Sequence, residues 1–307
     1  MCGNLKIKQE LINILEERVL ICDGAMGTTL QSLGYKGLND LLNLNPDSLK
    51  IITDIHLKYL EAGSDIIQTN TFGSNALKLE QSGHLLNIEI INKNAIKAAK
   101  DAVTIYQEKT KDTKKIYIAG NVGPSGKLLE PYGDTRYQTV VDSFSKQIEY
   151  LIKFNADFII IETIIDINEA LSAIEAVKKI NPDILIACTL SFKENGVTVM
   201  GNKAEDFGKI LINAGANIIG ANCSVGSDSM IQITEKIRNA NPDAKLLIQP
   251  NAGLPSLINE KTVFNETPEI MAENFKQILK YNPSIIGACC GSTPNHIKKI
   301  TDLINKI

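Results

Sequence analysis

Tryptophan is missing from this chain of 307 residues, and arginine occurs only at Arg18, Arg136 and Arg238. The first absence weighs against an aromatic cage for a quaternary ammonium group. The second leaves any buried carboxylate few guanidinium partners. No block of basic residues stands out from a formal net charge of -3 with both signs scattered, so no nucleic-acid partner is expected. No apolar run reaches the roughly 18 residues that a membrane span needs. The opening Met1-Cys2-Gly3-Asn4-Leu5-Lys6 has neither the apolar core of a signal peptide nor glycine at position 2 for myristoylation. Six cysteines in that setting read as reduced thiols rather than a disulfide framework. A cytoplasmic protein without a membrane partner is the expectation. No repeat, linker or low-complexity tract divides the chain, and residues 1–307 are read as one domain. With 44% hydrophobic residues, it is long enough for a large core.

What is present is a rhythm. Short apolar, β-branched runs recur as Val19–Asp23, Asp65–Asn70, Ile116–Asn121, Phe158–Glu162, Ile184–Leu190, Asn217–Cys223, Leu246–Asn251 and Ser284–Cys290. Near-continuous apolar runs are what strands buried on both faces look like. Helical spacing fills the gaps over 48–62, 86–105, 136–154, 167–179, 204–213, 228–239, 268–280 and 294–306. Thr267-Pro268 and Thr293-Pro294 mark two helix starts, each a capping hydroxyl before proline. Eight alternations predict an α/β fold, a single (β/α)8 TIM barrel, with residues 5–17 forming an extra N-terminal helix across its bottom. An open doubly wound sheet is the alternative, but the GxGxxG fingerprint of a dinucleotide fold is missing.

Function in such a barrel sits at the C-terminal strand ends, here Asp23, Asn70, Asn121, Glu162, Ser191, Asn222 with Cys223, Asn251, and Cys289 with Cys290. Strands six and eight are next-nearest neighbours, so the three sulfurs can converge. Neighbouring residues on a regular strand face opposite ways, so Cys289 and Cys290 can share one ion only if the backbone leaves the strand, which Gly287 and Gly291 permit. Three thiolates and an open position would suit a catalytic zinc; three small buried hydrophobes are the other reading, and the one preferred for Cys2, Cys22 and Cys188. Buried Asp23 and Glu162 each need a partner, either a ligand ammonium or a basic side chain. The glycines after Asp23 leave backbone N–H groups free for an anion. Asp54-Ile55-His56 resembles the start of a cobalamin-ligating Asp-x-His-x-x-Gly motif, but Tyr59 replaces the glycine and the stretch reads as helix.

Together, Asp23-Gly24-Ala25-Met26-Gly27-Thr28, Thr69-Asn70-Thr71-Phe72, Ile161-Glu162-Thr163, Gly220-Ala221-Asn222-Cys223-Ser224, Pro250-Asn251-Ala252-Gly253 and Gly287-Ala288-Cys289-Cys290-Gly291-Ser292-Thr293-Pro294 resemble the homocysteine S-methyltransferase family. The likeness runs from about residue 10 to the end and is greatest to the N-terminal homocysteine-binding module of the cobalamin-dependent methionine synthases. Ala288 departs from the family pattern, where many members have glycine. The resemblance implies zinc on Cys223, Cys289 and Cys290, with homocysteine sulfur at the fourth position. It implies that Asp23 and Glu162 hold the substrate ammonium, and that amides at Gly24 and Ala25 hold its carboxylate. Asn222 and Asn251 join this substrate site, Asn251 as a residue that occupies the zinc until substrate arrives. It also implies methylcobalamin, carried on a separate corrinoid-binding domain or protein, as methyl donor. A stand-alone enzyme using S-methylmethionine, S-adenosylmethionine or betaine is the rival, and a catalytically inactive zinc- or thiol-binding regulatory barrel is a second. An aldolase-like barrel would want a lysine at a strand end, and none of the eight has one.

Overall fold

The computed structural model describes residues 2–258 and 261–306. The chain begins with α1 (Cys2–Glu17), β1 (Leu20–Ile21), α2 (Gly27–Ser32), α3 (Pro46–Glu61), β2 (Ile66–Gln68), α4 (Ala76–Gln81), α5 (Ile88–Thr110) and β3 (Tyr117–Val122). It continues with α6 (Tyr137–Lys153), β4 (Phe158–Ile164), α7 (Ile167–Ile180), β5 (Ile186–Leu190), α8 (Phe207–Ala214), β6 (Ile218–Gly226), α9 (Ser227–Ala240) and β7 (Lys245–Asn251). A hairpin of β8 (Pro255–Ile258) and β9 (Lys261–Phe264) precedes α10 (Pro268–Ile278), β10 (Ile285–Ile286) and α11 (Pro294–Ile304). Eight strands pair in the order β1-β10-β7-β6-β5-β4-β3-β2, all parallel. A parallel bridge from Cys22 to Ile66 joins β1 to β2 and completes the ring of an α/β TIM barrel.

Alternation along each strand divides the core in two. Ile118, Ile159, Ile161, Ile186 and Ile219 point outward onto the helices. Tyr117, Phe158, Ile160, Leu185, Ala187, Ile218 and Leu247 point inward and meet Leu11 and Leu15 of α1. That inner cluster is the filled interior expected of an eight-stranded barrel. Burying each of the two leucines stabilises the fold by roughly 1.5–3 kcal/mol. Tyr117 Oη donates to Glu10 (2.9 Å) and Lys245 pairs with Glu16 (3.0 Å), fixing the helix across the bottom. Beside it, buried Asp65 accepts from Arg18 at 2.8 and 3.1 Å and from the Ile21 N–H at 2.8 Å, and also pairs with Lys114. A carboxylate needed only for structure is thus surrounded by cations, and its pKa is lowered by them against the opposing effect of burial.

Thr267 caps α10 through the N–H of Ile270 (3.3 Å), and Pro294 opens α11 as expected. The expected helix over 204–213 starts three residues late, at Phe207, because Lys203 to Asp206 form a turn. The extra N-terminal helix begins at Cys2, whose side chain lies outside the described residues. The ladder of the first and last barrel strands spans two residues each, shorter than Val19–Asp23 and Ser284–Cys290. Just past these ladders the backbone stays tied to its neighbours, with the Asp23 N–H donating to Ile66 O (3.0 Å) and the Gly287 N–H to Ile248 O (3.1 Å), and Asp23, Cys289 and Cys290 stand at the barrel's C-terminal end. No described helix is long and apolar enough to cross a membrane.

Candidate metal centre and substrate pocket

At the C-terminal end of the barrel a cavity of about 380 Å³ is lined by Asp23, Gly24, Ala25, Glu162 and the sulfurs of Cys223, Cys289 and Cys290. Two local distortions bring the sulfurs together. After Asn222, β6 bends through left-handed backbone at Cys223 (φ 60°) and Ser224 (φ 63°), and its register on β7 slips. After Ala288 the chain turns, with Cys289 N–H donating to Pro250 O (2.7 Å) and Ser292 N–H to Cys289 O (3.1 Å). Gly291 closes that turn at φ 80°, and a Cβ there would lie 2.1 Å from Phe264 Cγ, so the position admits no side chain.

All three Sγ atoms lie within 4.8 Å of one another, and Cys223 Sγ is 3.8 Å from Cys290 Sγ. Zinc thiolates at about 2.3 Å in tetrahedral geometry stand about 3.8 Å apart. The donor set therefore fits zinc in both chemistry and spacing. Hydrogen bonds from Cys289 and Cys290 pull the Cys223 thiol well below its usual range, while both partners are pushed up. Asn251 adds to the lowering of the Cys223 thiol, and its buried Oδ1 has no hydrogen-bond partner among the described residues. Asn251 is not among the residues that line the cavity, but its unpaired buried amide oxygen near Cys223 is a polar group that calls for a partner. Cys22 and Cys188 are fully buried inside strands, their thiols raised by burial, as small apolar residues would be.

The two carboxylates contrast with Asp65. Asp23 Oδ2 accepts from the Gln68 N–H (2.9 Å), and Glu162 Oε1 accepts from Asn121 Nδ2 (2.8 Å). No lysine, arginine or histidine of the described residues pairs with either, and burial pushes both up to about 7. Arg18 is committed to Asp65, and Arg238 donates to backbone carbonyls of Tyr281 and Pro242. Two buried carboxylates that have no cation among the described residues thus face one cavity, an arrangement a positive ligand would satisfy.

Gly24 packs so closely that a Cβ would meet Ser292 Oγ at 2.6 Å and Tyr59 at 2.9 Å. Of the two amides expected to take a carboxylate, that of Ala25 already donates to Ser292 Oγ (3.0 Å), whereas no such bond engages Gly24. Asn222 does not line the cavity; it is buried behind Glu162 and bonds to it at 3.3 Å. Asp54 and His56 lie within α3, Asp54 exposed and His56 buried, and form no site. Gln68, Thr163, Gln249 and Ser292 escaped the sequence reading as site residues. Gln68 and Gln249 follow apolar runs, and a polar residue ending a buried strand was the available signal.

A family model described as homocysteine S-methyltransferase matches residues 20–304. Methionine synthase of Mycobacterium leprae is 29% identical over 307 residues, covering 95% of this chain and 25% of that protein. Methionine synthase of Mycobacterium tuberculosis is 29% identical over 314 residues, covering 97% and 26%. The chain thus spans about a quarter of the length of these relatives. The metallated form of the homocysteine methyltransferase MmuM from Escherichia coli superposes with a TM-score of 0.79 at 19% identity, covering 94% of this chain and 98% of that one. At that identity the likeness bears on the fold.

Proposed function

This chain belongs to the homocysteine S-methyltransferase family, and on that premise we propose that it binds one zinc ion through Cys223, Cys289 and Cys290 and methylates homocysteine to methionine. The observation that carries this reading is the pairing, across one cavity, of a three-sulfur cluster with two cation-free buried carboxylates. A ligand that satisfies both ends has an ammonium and a thiol. Zinc, when bound, would hold the substrate sulfur as thiolate at neutral pH, the form that is nucleophilic.

The chain's own residues supply orientation. Asp23 and Glu162 grip the ammonium in a site shielded from water, where the attraction is strengthened. The unengaged amide of Gly24 faces the carboxylate. Gln68 and Asn121 hold the two carboxylates in place. The sulfur then attacks the methyl carbon in line: the S–C bond forms, and the donor departs with the electron pair of its former bond to carbon.

The donor we propose is methylcobalamin on a corrinoid-binding domain or partner. The length of the methionine synthase relatives beyond the matched quarter supports this. So do exposed apolar side chains in the loops at the same end of the barrel, including Leu254, Leu257, Leu128, Tyr132 and Val199, since such surface favours protein contact. The test supplies zinc-loaded chain with homocysteine and free methylcobalamin, and follows demethylation in the cobalamin spectrum. Turnover with S-methylmethionine, S-adenosylmethionine or betaine and none with methylcobalamin would replace this donor. Zinc binding without methyl transfer from any donor would favour a regulatory barrel.

A further inference from the structure

Asn222, the last extended residue of β6, is fully buried and spends its whole amide on the site. Its Oδ1 accepts from the Thr163 N–H (2.8 Å) and from Thr189 Oγ1 (2.7 Å). Its Nδ2 donates to Thr163 Oγ1 (2.8 Å) and Glu162 Oε2 (3.3 Å), and lies 4.0 Å from Cys289 Sγ. A backbone N–H can only donate, so the amide has one orientation: Oδ1 toward Thr163 N, Nδ2 toward Glu162.

Thr163 is held at both its backbone and its hydroxyl by this one side chain. It sits at φ 62°, where a β-branched residue is rarely found. The register of β4 on β5 slips at the same place. The residue before it is Glu162, and the residue after Asn222 is Cys223, itself at φ 60°. The two strands that flank β5 therefore both abandon extended geometry, each immediately beside a residue of the site, and one amide reaches across to tie the departures together.

Resting on the reading that Glu162 holds the substrate ammonium, we infer that Asn222 is a positioning residue. It fixes the separation between Glu162 and the cysteine cluster, and so sets the chain length of the amino-thiol that the site accepts. Homocysteine has two methylenes between its α-carbon and sulfur, and cysteine has one. A rigid separation favours one of them; a loosened one cannot.

The experiment measures binding of homocysteine, cysteine and 4-sulfanylbutanoate, which is homocysteine without its amino group, by calorimetry. The proteins are zinc-loaded wild type, Asn222→Ser and Thr163→Ala. Zinc content is read in parallel with a chelating dye. Wild type is expected to prefer homocysteine over either analogue by about tenfold or more, the scale of a charge-assisted hydrogen bond. Asn222→Ser is expected to reduce both preferences to within about threefold while zinc and 4-sulfanylbutanoate binding persist. Thr163→Ala, which keeps Asn222 but removes one acceptor, is expected to fall between, and it decides the matter if Asn222→Ser does not fold. Full preference retained in both zinc-loaded variants would overturn the inference. Loss of zinc from both would assign Asn222 to holding the metal and overturn it too. Absence of any preference for homocysteine over 4-sulfanylbutanoate in wild type would remove the ammonium reading, and this inference with it.

Discussion

Replacing Glu162 by glutamine should make the ligand-free protein more stable while weakening the site, and the gain should depend on pH. Burial lifts the carboxyl from 4.5 to about 7 in the folded state. The folded pKa lies above the unfolded one, so this group's contribution is fully present below about pH 4.5 and is lost as pH rises through about 7. A rise of about 2.5 pH units corresponds to about 3 kcal/mol of destabilisation at pH 8. Glutamine avoids it at nearly constant volume. It must turn its own NH2 toward either Asn121 Nδ2 or Asn222 Nδ2, both of which donate to Glu162, and losing one such bond costs about 1 kcal/mol. The net expectation is a gain of about 2 kcal/mol at pH 8 and a loss of about 1 kcal/mol at pH 4.5. Urea unfolding of the zinc-free proteins without homocysteine, at pH 5 and pH 8, reads this difference. A stability difference that stays the same at both pH values would refute the reasoning. In homocysteine binding the same variant should lose about ten- to a hundredfold, one charge-assisted hydrogen bond, without losing zinc.

Zinc should bind the wild-type chain in one equivalent, and Cys290→Ser should lower it to near zero by elemental analysis; a full equivalent in the variant would exclude Cys290 as a ligand. Homocysteine binding should release close to one proton at pH 8, from the thiol. At pH 6 it should release more, because Asp23 and Glu162, both pushed up to about 7, must also ionise against the ammonium. Titration calorimetry in buffers of different ionisation heat counts these protons, and equal release at both pH values would contradict the assignment. Asp65→Asn should cost about 2 kcal/mol in urea unfolding, a value reduced because Arg18 and Lys114 are partly exposed. It should leave homocysteine affinity unchanged, since Asp65 sits at the opposite end of the barrel.

The eight strands and their helices were legible because parallel strands covered on both faces can only be written in apolar residues, as Phe158 to Ile161 illustrate. The three cysteines were legible from their places at the ends of strands six and eight, and the bend at Cys289 and Cys290 from Gly287 and Gly291. The bends at Thr163 and Cys223 were not, because neither carries a glycine to announce positive φ; tertiary hydrogen bonds from Asn222 impose the first. Helices α2 and α4 have six residues each, too few turns for a 3.6-residue period to emerge. The hairpin of β8 and β9 begins at Pro255 and shows too little alternation between apolar and polar residues to declare itself. Asp23 and Glu162 were visible as carboxylates at strand ends, but their lack of cations depends on where Arg18 and Arg238 go, which only the packing decides.

Helix α1 closes the end of the barrel away from the cysteines with Leu11 and Leu15, so the pocket is a cul-de-sac with a single door. On the proposed reading, whatever brings the methyl group would arrive by the way homocysteine came in, and once seated would stand in that way. The amino acid would then enter first and the product would leave last, after the donor has withdrawn. A plug at the far end of the molecule would thereby impose a queue on that reaction.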